Sequence, residues 1–273
     1  MTRSWLGRVV VASGAVTFAA CCCAAAETTP PLVTDRPDVT ESSETVARGI
    51  VQIEAGISFA NFSGDGETVG VATFPSTLIR VGLDRKVELR FEWLGLVSES
   101  REVDGSRTDT SGSGNTALGA KIKLREERGA APQMALLVDA VLPTGSKSFR
   151  TERIDPGVRL AGSHTLTDRL GLGYNLGVVA LSLEEDDGDA DTHALGRYSV
   201  ALAIGIDERW NSFVELFGFV PGGGSEGSSH LFDAGFTYLS SKTVQLDLSA
   251  GFGLNDAATD WFVGAGFSIR LPR

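Results

Sequence analysis

Apolar and polar residues alternate one by one through most of this chain. The clearest stretch is Asp260–Leu271. Trp261, Val263, Ala265, Phe267, Ile269 and Leu271 fall on one face, and Phe262, Gly264, Gly266, Ser268 and Arg270 on the other. A period of two belongs to a strand, since helix faces repeat every 3.6 residues. The pattern recurs from Gly49 onward and predicts twelve strands, with almost no helical period between them. They are Ile50–Asn61, Ala72–Leu83, Val87–Val97, Thr116–Glu126, Gln133–Leu142, Pro156–Thr165, Leu170–Leu183, Leu195–Ile206, Ser212–Val220, Leu231–Leu239, Val244–Leu254 and Asp260–Leu271.

The two faces of each strand differ in kind. Val244, Leu246, Leu248, Ala250, Phe252 and Leu254 oppose Gln245, Asp247, Ser249, Gly251 and Gly253. Val87, Leu89, Phe91 and Trp93 oppose Glu88, Arg90 and Glu92. The same count puts Glu54, Arg80, Lys121, Lys123, Asp139, Arg159, Glu215, Asp233 and Arg270 on polar faces. A basic residue facing lipid at mid-membrane costs roughly 2–4 kcal/mol, so these faces must look inward. The expected fold is all-β: a twelve-stranded antiparallel up-and-down transmembrane β-barrel, apolar outside and polar inside.

The connections fit that reading. Short polar turns at Asp84–Lys86, Glu127–Pro132, Thr167–Arg169, Asp207–Arg209 and Ser240–Lys242 alternate with expected longer loops. These are Phe62–Gly70, Ser98–Asn115, Thr144–Asp155, Glu184–Thr192, Pro221–His230 and Asn255–Thr259. Outer-membrane barrels have short periplasmic turns and longer outer loops. In Ser212–Val220, placing Glu215 inside takes Phe213, Phe217 and Phe219 with it, either as filling or as a greasy track for a solute.

Export is written at the N-terminus. Arg3 and Arg8, the apolar run Val9–Ala20 and Ala24–Ala26 predict a signal peptide over residues 1–26, with lipoprotein processing at Cys21 as the alternative. All three cysteines lie there, which leaves no disulfide for the mature chain. Residues 27–48 are a proline-bearing, charged periplasmic lead-in. They read either as a solvated linker or as a segment folded into the barrel mouth against inward charges. Residues 49–273 are the barrel, and the expected location is the outer membrane of a Gram-negative bacterium.

The net charge of −11 and the lack of a basic stripe exclude nucleic acid as a partner. No catalytic constellation appears, so an enzyme and a bound cofactor are not expected. His164, His193 and His230 lack metal spacing, and the adjacent Ser163-His164 and Ser229-His230 would face opposite ways on a strand. Gly114–Lys121 lacks the Lys-Ser/Thr end of a phosphate loop. The acidic run Glu184–Asp191 reads as a solvated outer loop, with divalent-cation binding at the lipopolysaccharide surface as the sharper alternative.

Several motifs carry a family resemblance across residues 34–271. They are Thr34-Asp35-Arg36-Pro37-Asp38-Val39-Thr40-Glu41-Ser42, Gly112-Ser113-Gly114-Asn115 leading to Lys121, and Leu142-Pro143-Thr144-Gly145. Asp247, Gly251, Gly253, Leu254, Asn255 and Asp256 then lead into Phe262–Arg270. The chain resembles the putative MetA-pathway of phenol degradation family of transporter-annotated barrels. That resemblance implies an outer-membrane barrel with a transport role, and the family's name implies aromatic hydrocarbons. Asn115 stands where the family usually has an aspartate, and the chain ends in Pro272-Arg273 rather than an aromatic.

The expected function is passive passage of small, aromatic or hydrophobic molecules, by a monomer set in outer-membrane lipid and lipopolysaccharide by the barrel-assembly machinery. The alternatives are a structural or surface-interaction barrel with a packed lumen, and an outer-membrane lipid-modifying enzyme. Seven inward acids against six inward bases predict charges paired across a narrow, weakly ion-selective lumen. Inward glycines on the seventh, eleventh and twelfth strands predict space along one wall.

Overall fold

The computed structural model describes residues 32–64, 66–184, 190–223 and 227–271. The expected signal segment with Cys21 lies outside the described residues, as do positions 185–189 of the acidic run. Fourteen strands form one antiparallel sheet. The first hairpin is β1 (Val51–Gly64) with β2 (Glu67–Gly82). Then come β3 (Val87–Trp93), β4 (Leu96–Val103), β5 (Ser106–Ser113), β6 (Thr116–Arg125), β7 (Gln133–Leu142) and β8 (Asp155–Thr165). The rest are β9 (Leu170–Glu184), β10 (Ala190–Gly205), β11 (Trp210–Pro221), β12 (Ser229–Ser241), β13 (Val244–Gly253) and β14 (Trp261–Arg270). β14 pairs with β1, from Gln52 opposite Arg270 to Asn61 opposite Trp261, and closes the sheet.

Fourteen strands make twelve staves, because two staves are each broken once. β2 pairs with both β3 and β4, Thr77 lying opposite Trp93 and Phe74 opposite Leu96. The break falls at Leu94-Gly95, and the neighbouring break between β5 and β6 falls at Gly114-Asn115. The first sits beside Pro75, which has no N–H to give a ladder, and the second lies against the first, Gly114 N–H donating to the Gly95 carbonyl at 2.8 Å. Gly95 has φ +85°, and a Cβ there would lie 2.3 Å from the Pro75 carbonyl oxygen, so glycine is required.

Two expected loops prove to be largely strand. Within 62–70 and 98–115, the β1–β2 and β4–β5 hairpins run on beyond the other staves. Apolar alternation does not mark Ser98–Ser113, because the β4–β5 hairpin is polar on both faces. The legible signal was Asp104-Gly105, whose φ angles of 51° and 75° make a tight two-residue turn.

The lipid side follows the expected pattern, with Leu176, Leu248, Phe252, Trp261 and Phe267 exposed. The connections between β2 and β3, β8 and β9, β10 and β11, and β12 and β13 have two to four residues, and the one between β6 and β7 at the same end has seven. These define a turn end of the barrel; the other is the loop end.

Candidate functional site

The described part of residues 27–48 follows the second of its two readings: it runs inside the barrel. Asp35 is its hub. The Asp35 carboxylate takes Lys121 Nζ at 2.9 and 2.8 Å, Arg90 Nη1 at 2.5 Å and Arg80 Nη1 at 3.3 Å. Its backbone N–H donates to Glu54 Oε2 at 2.9 Å. Arg80 also grips Glu88 with two parallel bonds, Nε to Oε1 at 2.9 Å and Nη2 to Oε2 at 3.0 Å, and reaches Glu54 Oε1 at 3.1 Å. Arg90 Nη2 and Arg159 Nη1 meet Glu41 at 2.9 and 3.2 Å. The charges fit together because the register brings Gln52, Arg80 and Arg90 level on β1, β2 and β3, and sets Glu88 opposite Lys121 of β6.

Polar bonds fix the segment around the rest of the bore. The Asn175 side chain brackets Glu41, accepting from its N–H at 2.8 Å and donating to its carbonyl at 3.0 Å. Ser43 Oγ lies 2.7 Å from Ser163 Oγ and accepts from Gln133 at 3.1 Å. On the far wall Val39 N–H donates to Glu215 Oε2 at 2.7 Å, and Thr40 Oγ1 donates to Glu215 Oε1. Arg36 Nη2 meets Asp247 Oδ1 at 3.0 Å. Near the turn end, Lys123 Nζ reaches Glu44 Oε2 at 2.7 Å.

Of the inward glycines expected to leave space, Gly173 and Gly266 face the segment, whereas Gly251 and Gly253 are covered by Phe262 and by Ala258 and Thr259. A Cβ on Gly56 or Gly266 would lie 2.4 or 2.6 Å from the Arg36 guanidinium. The expected pairing of charges across the lumen is also corrected. Charges on neighbouring strands pair along the wall, as Arg80 does with Glu54 and Glu88, and Asp35, Glu41 and Glu44 of the segment supply further partners inside the bore.

Burial and pairing put the thirteen sequence-predicted residues in the bore. Glu54, Arg80, Glu88, Arg90, Lys121, Glu215, Asp233, Asp247 and Arg270 are buried. Glu92, Lys123, Asp139 and Arg159 are partly exposed within it. Glu54, Arg80, Glu88, Arg90 and Lys121 form one network; Arg159 joins it through Glu41, and Glu92 through Arg90 at 3.3 Å. Asp139 stands apart with Arg197 at 3.3 Å. Sequence reasoning missed Asp35 as hub, as well as Arg36, Glu41, Asn175 and Arg197. Arg197 shares its inward face with Leu195, and an apolar residue there obscures the phase of β10.

Glu41, in the docked segment and outside the strands, titrates well above its ordinary range. Burial pushes it up to about 7, with the Asp35 charge adding to burial and Arg90 and Arg159 opposing it. Burial also works against the Asp35 charge, but Arg80, Lys121 and Arg90 hold that carboxyl well below the usual range.

Two cavities lie beside the segment. The larger, of about 360 Å³, is lined by Arg90, Glu92, Leu94, Asp139, Phe149 and Arg197 among others. The smaller, of about 150 Å³, is mainly apolar and lined by Val39, Phe217, Phe219, Leu231, Asp233 and Phe262 among others. Phe213 and Phe217 do point inward with Glu215, as the parity of β11 required. The 143–151 loop bends over the loop end. Gly145 N–H donates to Asn115 Oδ1 at 3.0 Å, and Ser146 N–H to the Ser113 carbonyl at 2.8 Å. Asn115 thus acts as a loop anchor, an acceptor role that an aspartate would also fill.

Among the described residues, no group of three or more His, Cys, Asp or Glu could hold a metal ion. The Ser163-His164 pair splits as expected. Ser163 bonds Ser43, and the His164 ring lies 3.8 Å from Glu127.

Residues 34–271 match the family described as "Putative MetA-pathway of phenol degradation", and the chain belongs to it. No curated protein matches the chain. Three solved structures share its fold. One is the NanC porin, at 8% identity and TM-score 0.52, covering 81% of this chain and 100% of that one. Another is the translocator domain of the autotransporter NalP from Neisseria meningitidis, at 11% identity and TM-score 0.52, covering 83% and 90%. The transport unit of the autotransporter AIDA-I from Escherichia coli has 6% identity and TM-score 0.51, covering 82% and 90%.

Proposed function

We propose that this member of the "Putative MetA-pathway of phenol degradation" family is a non-enzymatic outer-membrane channel that passes small, aromatic or apolar molecules passively. Its turn end faces the periplasm, and it works as a monomer, set in lipid and lipopolysaccharide by the barrel-assembly machinery. One observation carries the reading. A docked N-terminal segment runs inside the bore, and glycines at 56, 173 and 266 keep the room it occupies. A segment can leave, whereas a packed wall cannot. The family's name and the Phe217, Phe219 and Phe262 lining support an aromatic solute.

The same plug favours a second reading, a surface or structural barrel with a permanently filled lumen. Flux of small neutral solutes through proteoliposomes separates the two. Wild-type protein should show slow flux. Asp35→Asn weakens the charge shared by three cations and should raise the flux several-fold, about fivefold if docking is weakened by roughly 1 kcal/mol. Flux absent from both proteins, each folded by its heat-modifiable gel mobility, would establish the filled barrel instead.

A further inference from the structure

Three carboxyl side chains in the bore have no basic partner. Glu215 and Asp233 face each other directly across β11 and β12, and both are buried. Asp38 approaches from the segment, whose next two residues bind Glu215. Among the described residues none of the three pairs with Lys, Arg or His. Arg36, on the edge of the same region, is already engaged by Asp247 at 3.0 Å. By contrast Asp35, Glu41, Glu54 and Glu88 all meet guanidinium groups.

An acid cluster alone implies only that protons are retained. Two further features give this one a ligand. Asp233 is 1% exposed, and its Oδ1 accepts no hydrogen bond. Asp233 also lines the apolar cavity of about 150 Å³. A mainly apolar cavity of that volume takes a single aromatic ring, with Arg36 and a few hydroxyl and amide groups also on its wall. Phe217 is the hinge of its aromatic wall, 6.3 Å from Phe219 and 6.0 Å from Phe262, both in edge-on contact.

The geometry points to a binding site for a small primary ammonium with an aromatic body, the ammonium at Asp233 and the ring among Phe217, Phe219 and Phe262. Charge decides the class. An anion finds no available base, since Arg36 on the cavity wall is held by Asp247. A neutral alcohol satisfies Asp233 Oδ1 but leaves the acids unbalanced. An ammonium supplies both the missing donor and the missing charge, and ring faces attract cations. A metal ion is a poor rival, since the described acids do not converge on one point. The site deepens the channel reading, on which its purpose rests, yet its occupancy can be measured without any flux.

The test is calorimetric titration of the purified full-length protein in detergent at neutral pH, with benzylammonium, benzyl alcohol and benzoate. Benzylammonium should bind about tenfold or more tighter than benzyl alcohol, the difference expected of a charge-assisted bond, and benzoate should not bind. Asp233→Asn keeps the shape and an acceptor oxygen. It should weaken benzylammonium about tenfold and leave benzyl alcohol unchanged. Should that variant fail to fold, discrimination by the wild type decides alone. Equal binding of the alcohol, preference for benzoate, or no binding of any of the three overturns the site. Ammonium binding without solute flux would keep the site and remove the channel; flux without ammonium preference would do the reverse.

Discussion

The bore has two unlike walls. On β1, β2, β3 and β6 every acid named in the network meets a base, and Asp35 alone touches three cations. On β11 and β12 two buried acids face each other beside phenylalanines, and among the described residues no base pairs with them. One segment contacts both walls. On the first it is bound by dense, directional charge pairs. On the second it is held by hydrogen bonds to Glu215, next to open apolar space. The difference teaches a division of labour. A wall whose charges cancel can anchor, while a wall with a charge deficit and free volume can receive something from outside.

The largest effect should come from breaking the anchoring wall. Arg80 is fully buried and binds Asp35, Glu54 and Glu88 at once. Arg80→Ala takes one cation from each of three buried carboxylates and, among the described residues, leaves Glu54 with no basic partner; removing one partner of a buried ion pair typically costs about 3–5 kcal/mol. Replacing the whole network with apolar residues could be far less harmful, because desolvation consumes much of what the pairs contribute. The expected outcome for Arg80→Ala is a marked drop in the heat-modification midpoint together with faster solute flux. Unchanged stability would mean that the network does not anchor the segment.

A smaller effect should appear with pH, and its sign can be worked out. An acid whose pKa is higher docked than free holds its proton more firmly when docked. For Glu41, raised from 4.5 to about 7, docking is favoured at acidic pH, and that advantage is lost as pH rises through about 7. Asp35 has the opposite sign, being lowered, so its contribution is present above the usual carboxylate range and is lost only below it. Asp38 of the same segment, raised well above its ordinary value by burial and the Glu215 charge, has the same sign as Glu41, so between about pH 5 and 8 the two set the trend together. Flux through proteoliposomes should rise across that range, and Glu41→Gln should flatten the rise. A flux that falls with rising pH would reverse the assigned role.

Most of the wall was legible in the sequence, because a barrel imposes one rule on every strand. A charge on a period-two strand must face the bore, so Glu54, Arg80, Lys121 and Asp233 could be placed with no knowledge of their partners. The plug was not legible in the same way. Thr34–Ser42 has no period, and nothing local separates a docked polar segment from a solvated one. Its density of Asp, Arg and Glu was the usable signal, and a bore with near-balanced wall charge gave no sign of needing more acids. The two polar hairpins escaped for a related reason. Beyond the lipid both faces meet water, and the alternation that reveals a strand disappears.

The smallest effect should come from the receiving wall, and it sharpens the comparison most. Thr40 Oγ1 donates to Glu215, while Val39 N–H donates to the other oxygen of the same carboxylate at 2.7 Å. Thr40→Val keeps the shape and the backbone bond but removes the hydroxyl. The same hydroxyl lies 2.7 Å from Ser199 Oγ, so the substitution removes contacts to both groups and should cost roughly 1–2 kcal/mol. Because the network on the opposite wall is untouched, the segment should stay docked, and basal flux should change little. Glu215 faces Asp233 across β11 and β12, so losing a donor leaves the Glu215 carboxylate less screened beside it. Thr40→Val should therefore modestly tighten benzylammonium binding without altering binding of benzyl alcohol. If it instead opened the channel as widely as Arg80→Ala, the two walls would share the anchoring equally and the division between them would fail.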